Sequence, residues 1–370
     1  MADRSRGRFC WRTAFRRGTP YHPALTPPTN PTRLVLPRLA AAWCRADLPG
    51  KTTVARRLAR VDQDAYWAGA PTVDIRDRWG RHTLRLEPRE YFQRWAWLLG
   101  RYHEWPLQLL LQHALRPGDT FIDVGANFGL VTLRAAALVG PSGRVVAFEP
   151  NPDVFKRLAW HVESNGLRQV ICEPVALGRK RGTATLRLAS ANTGAASLVD
   201  FPWARDAAIT HDCPVVRGDS RLTGLPPASA SPLFIKIDVE GFECEALGGL
   251  SRTINAHLPA VACEVNRRCL RAAGAGLRRI RRIMERRGYQ PFLFEASRGL
   301  VRLSRLTITP MQRPPRGLFD VLFLHPAGVH LRRLAPFITG SAGTEPAPPP
   351  PRSAPASTLE FKPAMSHTGA

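Results

Sequence analysis

From residue 117 onward the chain alternates short apolar runs with stretches of helical spacing. After Pro117-Gly118-Asp119, the run 120–124 predicts a strand, and the apolar spacing over 128–139 predicts a helix. A second strand at 144–148 leads into a helix over 152–163, and 169–175 predicts a third strand. The strongly apolar run 233–239 predicts a strand, followed by a helix over 242–256. A strand at 259–265, an arginine-rich helix at 277–287 and a late strand at 319–324 complete the series. Strands alternating with helices imply parallel pairing in a doubly wound sheet. Strands that are apolar throughout, without polar alternation, belong in a sheet buried on both faces. Residues 183–189 alternate instead, which suits a hairpin or a sheet edge. The expected fold class is α/β.

Composition changes this picture mainly at the ends. The 370 residues are 44% apolar and 22% charged, enough to bury a full core without covalent staples. The net charge of +24 is unevenly placed: residues 1–60 carry a net +11 and residues 265–340 a net +13, while 61–264 are balanced. Such basic flanks keep nucleic acid or an acidic membrane open as partners, but a solvated basic surface is the simpler reading. Seven scattered cysteines with no CxxC and no zinc spacing argue against a disulfide framework or structural metal. No apolar run reaches membrane-span length and no secretory signal is visible, so a cytoplasmic protein without a transmembrane segment is expected. The chain divides into a basic Pro/Arg-rich extension (1–60) expected to be disordered, a lead-in or cap (61–115), a main α/β domain (116–325) and a Pro/Ala-rich tail (326–370) expected to be disordered.

The richest stretch is Phe121-Ile-Asp-Val-Gly-Ala-Asn-Phe-Gly129, an apolar strand ending in Asp123 and a turn with Gly125 and Gly129 before a helix. Open α/β sheets bind nucleotides at this end of a parallel strand. Ala126 and Asn127 stand where GxGxxG has its second glycine, so a pyrophosphate cradle, and with it a nicotinamide dehydrogenase, is disfavoured. At the end of the next strand, Glu149 follows Asp123 by 26 residues, about one βαβ unit, where a carboxylate can accept both hydroxyls of a ribose. Either acid alone reads as a helix cap or surface charge; the two together in register are harder to dismiss.

With Glu149-Pro-Asn151, Asn165-Gly166-Leu167, Ala176-Leu177-Gly178 and Lys236-Ile-Asp-Val-Glu-Gly241 in this order, the chain resembles the FkbM family of S-adenosylmethionine-dependent methyltransferases over residues 100–265, and more loosely to 324. Tyr102-His103-Glu104 resembles that family's lead-in. The resemblance implies a class I methyltransferase, Rossmann-like fold: a mostly parallel seven-stranded sheet with helices on both faces and an antiparallel seventh strand, for which 319–324 is the candidate. It implies the cofactor S-adenosylmethionine, O-methylation of a small-molecule or carbohydrate acceptor, and a methyltransferase domain at 116–325. Carried over by position, Asp123, Gly125, Ala126, Asn127 and Gly129 would wrap the methionine portion, Glu149 the ribose, and Ala176 and Leu177 the adenine, with Glu104 helping to close the site. Gly218-Asp219-Ser220 departs from the family pattern, and Asp219 is the candidate to keep that position.

In a strand that persisted, Lys236, Asp238 and Glu240 would share one side. An alcohol acceptor must lose its proton during methyl transfer, so Asp238, Glu240 and Glu264 are candidate bases. Lys236 is more simply their charge partner. Three carboxylates also admit a Mg2+ site, although a shared strand end is not coordination geometry, and no metal is the favoured expectation. Pro49-Gly50-Lys51-Thr52-Thr53 fails as a P-loop because Arg45 stands where the first glycine belongs. Cys244 and Cys263 read as small buried apolar residues, and Trp95, Trp97 and Trp105 as core packing. A nucleic-acid methyltransferase using the basic flanks and a non-catalytic protein retaining the fold are the alternatives.

Overall fold

Two apolar layers clamp a central sheet, and the strand residues alternate strictly between them. In the computed structural model, which describes residues 34–78, 82–189, 192–199, 209–298 and 304–339, the strands in chain order are β1 (Val73–Arg76), β2 (Thr83–Leu86), β3 (Thr120–Val124), β4 (Arg144–Phe148), β5 (Val170–Glu173), β6 (Ala176–Leu177), β7 (Gly182–Ala189), β8 (Asn192–Ser197), β9 (Ile209–Val216), β10 (Leu233–Ile237), β11 (Ala260–Asn266), β12 (Gln290–Arg298), β13 (Ser304–Pro310) and β14 (Leu318–Leu324). The large sheet has the order β13-β12-β14-β11-β10-β3-β4-β5. Strands β11, β10, β3, β4 and β5 run parallel, and β14 is antiparallel to both β11 and β12. This is the class I methyltransferase arrangement with its reversed strand at β14, as expected for 319–324. An eighth strand, β13, extends the sheet beyond the seven expected by forming a hairpin with β12.

Phe121, Phe234, Val145 and Ala147 join one layer with helices Leu130–Val139 and Pro152–Ser164. Ile122, Val146, Ile235 and Cys263 join the other with helices Glu243–Gly249, Ser251–His257 and Leu277–Glu285. Burial on both faces is why these strands carry no polar alternation. The alternating stretch at 183–189 lies instead in a second, four-stranded sheet of order β6-β9-β7-β8. The helix expected over 242–256 is two helices, because Leu250 falls between them.

The N-terminal expectation needs correction from residue 34 on. Helices Val35–Arg45 and Lys51–Arg57 are folded, with Ala40, Cys44 and Ala55 fully buried. Two of their arginines have partners: Arg45 donates to the Trp97 carbonyl and Arg56 pairs with Asp62. The tail is folded as far as helix Val329–Leu334, whose Arg333 binds Asp119 and the Ala114 carbonyl. Residues 1–33 and 340–370 lie outside the described residues.

Hydrogen bonds lock the lead-in to the main domain. Asn165 accepts from the Thr83 N–H and donates to the Thr83 carbonyl. His161 accepts from the Arg85 N–H through Nε2, while its Nδ1 lies 2.8 Å from the Phe128 carbonyl. Trp97 stacks edge-on against Trp67 in the core and Arg101 lies over Trp105, in keeping with packing roles.

Candidate active site

The turns after β3, β4 and β10 meet at one edge of the large sheet. Parallel register makes Lys236 the cross-strand partner of Asp123. The Lys236 ammonium lies 3.4 Å from Asp123 and 3.2 Å from Asp238, and it donates to the Gly125 carbonyl at 2.8 Å. Burial by itself would lower the lysine's pKa, but attraction from Asp238, Asp123 and Glu104 outweighs it and the net shift is upward. Lys236 therefore stays charged as a strut between acids. Asp123 is 0% exposed, holds Thr132 as a second partner at 2.7 Å, and lines neither cleft described below. Its carboxyl is pushed upward by burial, against the opposing pull of Lys236 and Thr132.

Gly125 has φ of 78°, and a Cβ there would stand 1.8 Å from the Asp238 carbonyl oxygen. Only glycine lets these two turns touch. Asn127 also adopts a left-handed φ of 51°, which turns its N–H onto Glu149 Oε2 at 2.8 Å. The other Glu149 oxygen accepts from the Asn151 N–H at 2.9 Å, and the Asn151 side chain caps helix Pro152–Ser164. Desolvation drives Glu149 up to about 7, with the two backbone bonds pulling the other way.

Strand β10 ends at Ile237, so Asp238 and Glu240 do not alternate along a continuing strand as the sequence suggests. They lie on a turn in which Glu240 has φ of 46° and Gly241 φ of 102°. That turn is pinned by Ser197, which donates to the Glu240 carbonyl, and by Glu243, which accepts from the Gly241 N–H. Glu240 Oε2 accepts from Asn266 Nδ2 at 2.9 Å and from Cys269 Sγ at 3.0 Å. One oxygen each of Asp238, Glu240 and Glu264 lie within 4.8 Å of one another. Two of the three are already engaged, Asp238 by an ammonium and Glu240 by two donors. This is a poor donor set for a hard cation that takes free ionised oxygens, and no step below passes through a metal.

Two adjoining clefts open at this edge. The first is walled by Phe148, Val175, Ala176, Leu177, Leu186, Leu198 and Phe242, with Gly125, Asn127 and Glu149 at its base. The second is bounded by Phe92, Tyr102, His103, Glu104, Ala126, Gly129 and Glu264, with Lys236 at its floor. Asn127, Asp238 and Glu240 line both. In the second cleft, desolvation and neighbouring carboxylates push Glu264 up to about 11, and desolvation with Asp320 and Asp238 pushes Glu104 to about 8. Burial drops His103 to about 4, so its 3.9 Å approach to Glu104 is not an ion pair at neutral pH. Of the residues expected in the site, all but Asp123 line one of the two clefts.

Asp219 does not join them; it receives the N–H and hydroxyl of Thr253 and caps helix Ser251–His257. Sequence reasoning missed Asp320, which β14 places directly opposite Glu264 in register, and two cleft residues, Leu186 of the small sheet and Leu198 just after β8. Lys51 of the rejected P-loop pairs with Asp47. Cys244 and Cys263 are buried with their thiols pushed upward by burial, as suits packing rather than nucleophilic residues.

Residues 123–291 match the family model of the methyltransferase FkbM domain. Among solved structures, it is similar to an FkbM methyltransferase from Methylobacillus flagellatus, at 16% identity over 80% of this chain and 60% of that one, with a TM-score of 0.35. It is also similar to an O-methyltransferase from Thermotoga maritima (13% identity, 60% and 65% covered, TM-score 0.31). A third is precorrin-6y C5,15-methyltransferase from Geobacter metallireducens (14% identity, 58% and 85% covered, TM-score 0.33). The FkbM match begins at Asp123 and ends at Pro291, so it takes in the turns after β3, β4 and β10 but not Glu104 or β14. Among the described residues, no helix is long and apolar enough to cross a membrane.

Proposed function

We propose that this FkbM domain transfers a methyl group from S-adenosylmethionine to a hydroxyl of a small-molecule or carbohydrate acceptor. The observation that carries the reading is the two-part cleft whose parts meet at Asn127, Asp238 and Glu240. Its first part suits a nucleoside, with apolar walls for a base and the buried carboxylate of Glu149 for ribose hydroxyls. Gly125 leaves no space for a Cβ because its turn packs directly on the Asp238 carbonyl, which joins the two turns that line the first cleft. Bound there, S-adenosylmethionine supplies an electrophilic methyl group on a sulfonium.

The protein's own work is to orient the acceptor and remove its proton. Glu264 and Glu104, raised to about 11 and about 8, hold their protons at neutral pH in the ligand-free site and serve as hydrogen-bond donors to an acceptor. Asp238 lines both clefts and is ion-paired to Lys236, and it is the carboxylate we assign as proton acceptor. Glu240, fixed by Asn266 and Cys269, orients the hydroxyl beside it. Asp123 acts through Lys236 and Thr132 rather than by touching the cofactor.

Calorimetric titration with S-adenosylmethionine, S-adenosylhomocysteine and NAD tests the cofactor, with binding of the first two and none of the third expected. Screening labelled methyl transfer into a metabolite extract tests the acceptor. Label recovered only on nitrogen would overturn the O-methyl assignment.

A further inference from the structure

Asn266 also lines a separate cleft of about 510 Å3, together with Arg267, Arg268, Arg271, Arg316, Gly317 and Leu318. Its four arginines come from two separate segments: three from helix Arg267–Ala272 and one from the loop between β13 and β14. Some arginines elsewhere are paired with carboxylates, as in Arg94–Asp64, Arg157–Glu87 and Arg217–Asp219. Among the described residues, none of these four has a carboxylate within 4.0 Å; Arg267 instead lies over the Phe319 ring, its guanidinium carbon 5.8 Å from the ring centroid. Four like charges converging on a concave surface repel one another unless an anion compensates them. Guanidinium forks match the tetrahedral oxygens of a phosphoryl group, pairing two N–H donors with each group.

We propose that this cleft is the anion subsite of the acceptor, and that the acceptor is a small molecule bearing a phosphate or pyrophosphate ester. This rests on the methyl-transfer reading, because the cleft's link to the chemistry is Asn266, whose Nδ2 holds Glu240. Asn266 thus belongs to the basic cleft and holds Glu240 of the acidic one. The acidic cleft and the basic cleft together select a polar neutral part and an anionic part of one substrate.

Calorimetry on the full chain with inorganic pyrophosphate tests the subsite without an acceptor. One-site binding is expected, weakened at least 10-fold in Arg268→Ala/Arg271→Ala and again in Arg316→Ala, which reaches the cleft from the other segment. S-adenosylmethionine affinity should be unchanged in both variants, which also serves as the check on folding. Arg281→Ala/Arg282→Ala, on the neighbouring helix, should leave pyrophosphate binding intact. No pyrophosphate binding alongside normal S-adenosylmethionine binding would overturn the subsite and leave the methyltransferase reading standing; the reverse pattern would sink that reading, and with it the acceptor assignment, while leaving an anion site. Equal loss in the Arg281/Arg282 variant, or tighter binding to a 12-nucleotide RNA or to phosphatidylglycerol vesicles that the cleft variants do not weaken, would overturn it in favour of diffuse basic attraction.

Discussion

The Lys236 ammonium donates to the Gly125 carbonyl, tying the tip of β10 to the turn that follows β3. The same nitrogen faces Asp123 and Asp238, so a single charge holds the turns after β3 and β10 in one piece. Lys236→Met keeps the length but leaves Asp123 buried beside an apolar chain. Breaking a buried pair from one side costs about 3–5 kcal/mol, and urea unfolding should register a loss of that order. A change below about 1 kcal/mol would rule out the strut.

Gly125→Ala should be far more damaging than an exposed glycine replacement. The new methyl group would meet the Asp238 carbonyl at 1.8 Å, and the positive φ adds strain. The expected outcome is loss of S-adenosylmethionine binding with the β10 turn displaced. The contrast is Gly166→Ala, where φ is 62° but nothing lies within 4 Å, and where cofactor affinity should persist. Equal affinities in the two variants would contradict the tight approach.

Glu149→Ala removes the acceptor for two backbone N–H groups as well as the proposed ribose contact. A hydrogen bond to a charged group is worth about 1.5–3 kcal/mol, so affinity for S-adenosylmethionine should fall about 10- to 100-fold. Glu149→Gln should recover part of this, since its amide oxygen can still accept. Calorimetry that found both variants unaltered would remove Glu149 from the cofactor site.

Asp238→Asn should spare cofactor binding within about 10-fold and lower turnover by about 10²–10⁴-fold, the usual contribution of a positioned proton acceptor. Single-turnover methyl transfer separates the two effects. If Glu240→Gln showed the larger loss in the chemical step, the base would have to be reassigned to Glu240.

The ligand-free protein should become less stable as pH rises. Glu264 and Glu104 titrate at about 11 and about 8 in the fold, above the ordinary value of 4.5, so the folded form binds more protons than the unfolded chain over that interval. Their stabilising contribution is complete below pH 4.5 and is lost as pH climbs through 8 and on toward 11. Glu264→Gln removes the larger effect. At pH 8.5 its Tm should rise by about 2–4 °C per kcal/mol relieved, with a flatter decline between pH 6 and 9. Parallel Tm profiles for variant and parent would show that Glu264 is not held protonated by its neighbours.

The parallel core was legible because its strands have no exposed face: runs such as Leu233–Ile237 contain no solvent-side alternation to confuse with an edge. The candidate site was legible where its residues lie in the last positions of a strand or directly after it, as Asp123, Lys236 and Glu149 do. It became illegible one residue later, when β10 ended at Ile237 and a left-handed Glu240 replaced the expected alternation. Burial also changed meaning between sequence and structure. Asp123 stands at the expected strand tip, yet its carboxylate is consumed by Thr132 and Lys236. Asp320 could not be seen at all, since its place opposite Glu264 depends on antiparallel register across 56 residues. Helix Val35–Arg45 hid behind its arginines and prolines; four buried positions, Pro37, Ala40, Ala41 and Cys44, anchor it, too sparse a stripe to stand out.

Strand β6 begins only two residues beyond β5, yet pairs with β9 and belongs to the small sheet. Ala176, Leu177 and Leu186, which help wall the first cleft, therefore sit on a different sheet from Glu264 of the second. Under the proposed reaction, nucleoside departure and acceptor chemistry would be mechanically coupled, because Ser197 at the end of β8 holds the Glu240 carbonyl: loosening the small sheet would hasten product exchange and disturb the Glu240 turn together.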